Sequence, residues 1–219
     1  YTGTGSARSV VNSGDNTTAT SFQPDFVWVK GRSVAYSHLL TDAVRGVSKR
    51  LVSDSTAAEV TDTDTLTAFN SNGFSWGTGI GGNQNAATYV AWQWKAAGST
   101  VSNTSGTITS TVSANTTAGF SIVTYTGNGS SSATVGHGLG VVPAMVITKP
   151  RSASGDWFVA HTSLGNGNLI LNQTLQSYNP ATQFSGGGLA TLNSSTTFGF
   201  VAGSSNASNA NANGTTYVA

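Results

Sequence analysis

The sequence predicts an all-β chain of two tandem antiparallel β-sandwich domains, jelly-roll in form, and three observations carry that prediction. The first is an internal repeat. Pro24-Asp25-Phe26-Val27-Trp28-Val29-Lys30-Gly31-Arg32-Ser33 returns 119 positions later as Pro143-Ala144-Met145-Val146-Ile147-Thr148-Lys149-Pro150-Arg151-Ser152. Each copy starts on a proline, which has no N–H for a ladder, runs through an apolar stretch of strand length and closes on Lys-x-Arg-Ser. The second is that Tyr1-Thr2-Gly3-Thr4-Gly5-Ser6 matches Tyr125-Thr126-Gly127-Asn128-Gly129-Ser130, and Thr88-Tyr89-Val90-Ala91 matches Thr216-Tyr217-Val218-Ala219, so start, middle and end recur in order. The third is a succession of short strand-like runs broken by Gly and Asn turns, with no helical periodicity over ten residues.

The elements follow from this repeat. Between the anchors the offset drifts from 124 to 119 to 128, which places length changes in loops. Tyr1 to Gly5 reads as a strand end turning on glycine, and a polar loop through Val11–Asn16 leads to the anchor strand, expected to be central and covered on both faces over most of its length. There Phe26, Trp28 and Lys30 share one face and Val27 and Val29 the other, because side chains alternate. Ser37–Asp42 is the next predicted strand. Asp42-Ala43-Val44-Arg45-Gly46 and its counterpart His161-Thr162-Ser163-Leu164-Gly165 are turns whose closing glycine suits a positive φ. Lys49–Val52 is a short strand, Ser53–Asp64 a polar, acidic loop, and Asn70-Ser71-Asn72-Gly73 a hairpin turn between Thr65–Phe69 and Phe74–Trp76. Gly77–Ala86 is a Gly/Asn loop and Thr88–Trp94 the last strand of the first copy. The second copy repeats the scheme through a Gly136–Gly140 turn, the second anchor, Trp157–Ala160, Asn168–Asn172 and Phe198–Val201. The predicted boundaries are 1–96 for the first repeat, 97–105 for a Ser/Thr-rich linker, and 106–219 for the second repeat, with strand-like alternation at 106–113. Strand Phe120–Tyr125 has no full counterpart ahead of Tyr1, and the chain lacks an initiator Met and the second copy of Trp92-Gln93-Trp94-Lys95, so it reads as a fragment or processed product.

Composition excludes several classes. Among 219 residues only 8% are charged and the formal net charge is +1, which gives no basic surface to neutralise a run of phosphates, so a nucleic-acid partner is not expected. The absence of cysteine removes disulfides, thiol catalysis and thiolate metal sites. No apolar run approaches the ~20 residues of a spanning helix, and no signal peptide is visible, so membrane insertion is not expected.

No catalytic set is expected. Nearly all of the carboxylates fall in predicted loops or turns, and the second copy holds Asp156 alone, where glycoside hydrolysis needs a facing pair. Asp54, Glu59, Asp62 and Asp64 form one acidic cluster, and Asp54, Asp62 and Asp64 are weak calcium candidates; the cluster lacks the fixed Gly and Glu of an EF-hand loop, which favours a solvated loop. His38, His137 and His161 do not correspond between the copies, so a repeated base or ligand is not expected. The five tryptophans suit either a core or a sugar-stacking platform; alternation favours core for Trp28, Trp92 and Trp157, leaving Trp76, beside the Gly/Asn loop, as the exposed candidate for ligand binding. Lys30, Arg32, Lys149 and Arg151 are the repeated charges, able to bind acidic sugars, to pair with Asp25 or Asp42, or to make an inter-subunit contact. Eight Asn-x-Ser/Thr sequons, at Asn16, Asn103, Asn115, Asn128, Asn172, Asn193, Asn206 and Asn213, follow largely from composition.

These residues resemble a repeated domain of virion and tail-associated proteins of marine bacteriophages. The signature comprises Tyr1–Gly5, Pro24–Ser33, Ser37–Gly46, Phe69–Phe74 and Thr88–Ala96, with a companion form from Gly119–Gly127 through Lys149–Ser152 to Thr216–Ala219. The resemblance implies a non-enzymatic, lectin-like structural module on a virion surface, without cofactors: a tail-fibre or adhesin segment whose loops attach to host-surface glycan, or a head-surface decoration. It implies other virion subunits as partners and homo-oligomerisation, trimeric in a fibre. The alternative is a carbohydrate-binding module of a secreted bacterial protein, which would need a row of exposed aromatics in loops.

Overall fold

The computed structural model describes residues 1–12, 21–182, 187–190, 192–202 and 209–219. Asp15 and the sequons at Asn16 and Asn206 lie outside them. The chain is nearly all β, about 40% strand and 4% helix, in several antiparallel sheets. It divides into a first unit, Tyr1–Ser53 with Val60–Gly98, and a second, Asp54–Glu59 with Ser99–Ala219.

The first unit holds β1 (Arg8–Val11), β2 (Phe26–Gly31), β3 (Leu39–Asp42), β4 (Lys49–Val52), β5 (Val60–Thr61), β6 (Leu66–Asn70), β7 (Gly73–Trp76), one helical turn α1 (Ile80–Asn83) and β8 (Tyr89–Trp94). They form a five-stranded sheet in the order β5-β4-β3-β2-β8 and a three-stranded sheet in the order β1-β7-β6. The anchor strand is interior, flanked by β3 and β8. Its burial alternates: Val27 and Val29 enter the core, while Phe26, Trp28 and Lys30 stay partly exposed. The expected cover on both faces is therefore only partial at those three positions. The core draws Val27, Val29, Leu39 and Tyr89 from the larger sheet and Val10, Leu66, Phe74 and Trp76 from the smaller. Such apolar burial supplies roughly 25 cal/mol per Å2 removed from water.

The second unit holds β9 (Val101–Asn103), β10 (Ser110–Asn115), β11 (Phe120–Thr126), β12 (Thr134–Gly136), β13 (Met145–Pro150), β14 (Phe158–His161), a 3-10 turn (Thr162–Leu164), β15 (Asn168–Ile170), β16 (Gly188–Leu189), β17 (Thr197–Val201) and β18 (Thr216–Val218). Seven strands run β15-β14-β13-β18-β11-β10-β9 and three run β12-β17-β16. Strand β9 lies inside the stretch expected as a linker, where Val101, Ser102 and Asn103 pair with Val112, Thr111 and Ser110. Val123, Tyr125, Phe158 and Tyr217 of the larger sheet and Val135, Phe198 and Phe200 of the smaller form its core. The turn glycines take positive φ as expected, 97° at Gly46 and 55° at Gly165.

A six-residue surprise concerns Asp54–Glu59. Expected within the acidic loop of the first repeat, it packs in the second unit, where Thr56 O accepts from Gly155 N (2.8 Å) and Glu59 N donates to Arg151 O (2.9 Å).

Candidate functional site

Among the described residues, an exposed aromatic surface is built by strand pairing. The β2–β8 register sets Phe26 opposite Trp94, Trp28 opposite Trp92 and Lys30 opposite Val90. Cross-strand neighbours on one face approach within contact distance. The Phe26 and Trp94 ring centroids lie 5.1 Å apart, those of Trp28 and Trp92 6.2 Å apart with the planes 76° inclined, and Phe26 meets Trp28 edge-on at 6.4 Å. Trp28 Nε1 donates to His38 Nδ1 at 2.8 Å, fixing the indole and leaving the imidazole proton on Nε2. Trp92 is 45% exposed and Trp94 36%. The result is a stripe of four rings on one sheet, held by each other and by His38, with two of them open to solvent. Flat, rigid rings with an apolar face are suited to stacking on a planar or pyranose ligand.

This reverses two expectations. Trp92, read as core, is exposed, because its face of β8 continues the outer face of β2. Trp76, read as exposed, is buried, with Nε1 donating to Gly79 O at 3.0 Å. The Gly-rich loop does not open around Trp76. It folds into the turn α1 directly on the ring, so close that a Cβ on Gly82 would stand 2.3 Å from Trp76 Cζ2.

The four repeated cations divide sharply. Lys149 is buried; its Nζ donates to Pro150 O (3.1 Å) and Thr56 O (3.2 Å) and lies 6.0 Å from the Trp157 ring centroid. Burial pushes its pKa down to about 8, against the pull of Asp156. Arg151 forks onto Glu59, Nε to Oε2 and Nη2 to Oε1, both at 3.0 Å. Lys30 Nζ donates to Gly31 O at 2.9 Å, and Arg32 is exposed. None of the four pairs with Asp25 or Asp42. Asp42 instead holds Arg45 in a buried ion pair, accepting also from Arg45 N at 2.8 Å, and Asp25 Oδ2 accepts from Ala96 N at 2.8 Å.

Nor does the acidic cluster assemble. Asp62 Oδ2 pairs with Arg50 Nε at 2.8 Å while its Oδ1 accepts from Asp64 N, and Glu59 is taken by Arg151. Among the described residues no three His, Asp or Glu side chains gather as a metal site, and of the calcium candidates Asp54 falls in the second unit and Asp62 and Asp64 in the first. His137 is buried in its Gly-rich turn, Nδ1 accepting from Leu139 N (3.2 Å) and Nε2 facing Ser194 O (3.4 Å), and burial lowers its pKa.

Residues that sequence reasoning passed over complete the scaffold around these sites. Asn83 and Asn211 are fully buried and tie the Tyr-Thr-Gly and Tyr-Thr-Gly-Asn segments to the loop before the last strand of each repeat. The 128 offset that aligns Tyr89 with Tyr217 also aligns these two asparagines, and that was the available signal.

With this geometry in hand, the chain belongs to the family described as a domain of unknown function, DUF7483, whose profile matches residues 1–219. No curated protein and no solved structure matches it.

Proposed function

We propose that this chain is a non-enzymatic surface module of a bacteriophage virion, a tail-fibre or adhesin segment, that attaches to host-surface glycan through the aromatic stripe Phe26, Trp28, Trp92 and Trp94. The observation that carries the reading is that stripe: Trp92 and Trp94 are open on a rigid strand pair rather than on mobile loops. Attachment by several weak contacts, multiplied over copies in a homo-oligomer, trimeric in a fibre, gives avidity without a deep pocket. Carboxylates engaged by Arg45, Arg50 and Arg151 support a binding rather than a hydrolytic role. Cores fed from both sheets of each unit support two tandem β-sandwiches. The virion setting rests on the resemblance of the repeated signature.

The test is retention of the full chain on bacterial surface polysaccharides. Trp92→Ala and Trp94→Ala should abolish retention while the melting temperature stays near that of the wild type. Equal retention by both variants sinks the reading. The stripe lies on strands rather than in the loops that a secreted carbohydrate-binding module would need, and microscopy of native particles separates the two readings: the chain either repeats around a particle axis or is missing from it.

A further inference from the structure

The last strand of each repeat starts the same ladder, and only one of the two ladders is continued. Tyr89 of β8 exchanges both main-chain bonds with Tyr1, Tyr89 N donating to Tyr1 O (2.8 Å) and Tyr1 N to Tyr89 O (3.0 Å), and the two rings stack at 5.3 Å. Tyr217 of β18 faces Tyr125 in the same way, with the rings stacked at 5.0 Å. In the second unit β11 carries the ladder on: Ala219 N donates to Val123 O and Val123 N to Ala219 O, both at 2.8 Å.

In the first unit the ladder ends at Tyr1. Strand β8 is the outermost of its sheet, with β2 on one side and only the Tyr1 and Thr2 contacts on the other. Main-chain groups alternate sides along an antiparallel strand, so Ala91 and Gln93, in phase with Tyr89, present N–H and C=O to the open side. Among the described residues no strand pairs with them there. Two side chains mark the same edge as incomplete. Gln93 Oε1 is buried and accepts no hydrogen bond, and Tyr1 is half-buried where its counterpart Tyr125 is only 4% exposed.

We infer that the open edge of β8 is a docking site for an extended polypeptide segment from outside residues 1–219, running antiparallel to β8 and in line with Tyr1. The second unit shows what such an edge accepts. Val123 bonds Ala219, the counterpart of Ala91 at the 128 offset, and its side chain enters the core. Ser121, two residues back on the same face, marks the place opposite Gln93. The segment therefore needs an N–H and a branched apolar side chain opposite Ala91, and a hydroxyl opposite Gln93 to donate to its Oε1. A second copy cannot lend its own β11, which is held on both sides by β10 and β18. Main-chain pairing at this edge is independent of stacking on the aromatic stripe.

The experiment adds a peptide of residues 119–124 to the full-length chain and follows the amide resonances and hydrogen exchange of Ala91 and Gln93. Saturable shifts and slowed exchange at both are expected. Val123→Pro in the peptide should weaken binding by about tenfold, since proline removes the N–H that pairs with the Ala91 carbonyl. Joining the same residues directly to Tyr1 raises their effective concentration and is the deciding form. There both amides should be protected, while the Val123→Pro version leaves them exchanging as in the bare chain. Unchanged exchange at Ala91 and Gln93 in the joined chain, or equal protection by the proline version, would overturn the inference. So would protection in the bare chain that grows with its concentration, which makes β8 of a second copy the occupant.

Discussion

Asn83 and Asn211, 128 residues apart in the chain, perform one task in two places. Asn83 Oδ1 accepts from Thr4 N (2.9 Å) while Nδ2 donates to Ser6 O (2.7 Å) and Gly77 O (2.8 Å). Asn211 Oδ1 accepts from Asn128 N (3.1 Å) while Nδ2 donates to Ser130 O (2.8 Å) and Asn128 Oδ1 (2.9 Å). Only an amide both accepts and donates in this way. Beside each, a tyrosine hydroxyl repeats the logic: Gln84 N donates to Tyr89 Oη and Ala212 N to Tyr217 Oη, both at 2.9 Å.

Asn83→Asp is accordingly expected to destabilise the first unit more than an exposed Asn→Asp change would. The carboxylate keeps the acceptor for Thr4 but faces the carbonyls of Ser6 and Gly77 with no donor. Each buried group left unpaired costs about 1–3 kcal/mol. Denaturant titration of the variant checks this, and Asn211→Asp should do the same to the second unit.

Gly3 and Gly127 approach the same loops so closely that a Cβ would stand 2.2 Å from Gln84 O and 2.3 Å from Ala212 O. Gly3→Ala and Gly127→Ala must move backbone, and a cost of about 1–3 kcal/mol each is expected from overpacking. Thermal melts of the two variants read it directly.

The two exposure classes of tryptophan give a contrast. Trp76→Ala should cost about 3–5 kcal/mol as a large core truncation. Trp92→Ala should cost at most about 1.5 kcal/mol, the range of one aromatic pair. Urea unfolding monitored by circular dichroism decides between them without relying on the removed fluorophore.

Lys149 carries a pH signature. Its native pKa lies near 8 and its ordinary value is 10.5, so between pH 8 and 10 the unfolded chain holds a proton that the native chain has released. This group therefore adds stability as pH rises through that window. Above pH 10 the buried Tyr125 works in the opposite direction, since burial raises its pKa and the unfolded state loses that proton first. Wild type minus Lys149→Met stability should thus climb from pH 8 to 10, as measured by urea midpoints at each pH.

His137 acts at the acid end. Its native pKa is below the ordinary 6.5, so as pH falls below 6.5 the unfolded chain takes up the proton first and stability drops until the native imidazole also protonates. Protonation at Nδ1 would also remove the acceptor that Leu139 N uses. His137→Gln should flatten the dependence of the melting temperature between pH 5 and 7.

Much of the scaffold was legible in the sequence because the repeat marks it. Lys49–Val52 and the Gly73–Trp76 arm of the hairpin fall where alternation and turn chemistry place them. The site was harder to read. Alternation told which residues share a face of β2 and β8 but not which face meets the smaller sheet, so Trp92 was assigned to the core. A glycine-rich neighbour suggested exposure for Trp76, whereas Gly82 lacks a Cβ so that the loop can lie on the ring. The Arg151–Glu59 pair spans 92 positions, and a carboxylate in a polar loop carries no sign of a partner that far away.

The Asp54–Glu59 segment also bears on where such a chain can be cut. A piece comprising 99–219 alone would leave behind Thr56 and Glu59, taking one carbonyl partner from Lys149 and the carboxylate from the Arg151 fork. A self-sufficient second unit therefore has to include Asp54–Glu59 and cannot simply begin at Ser99.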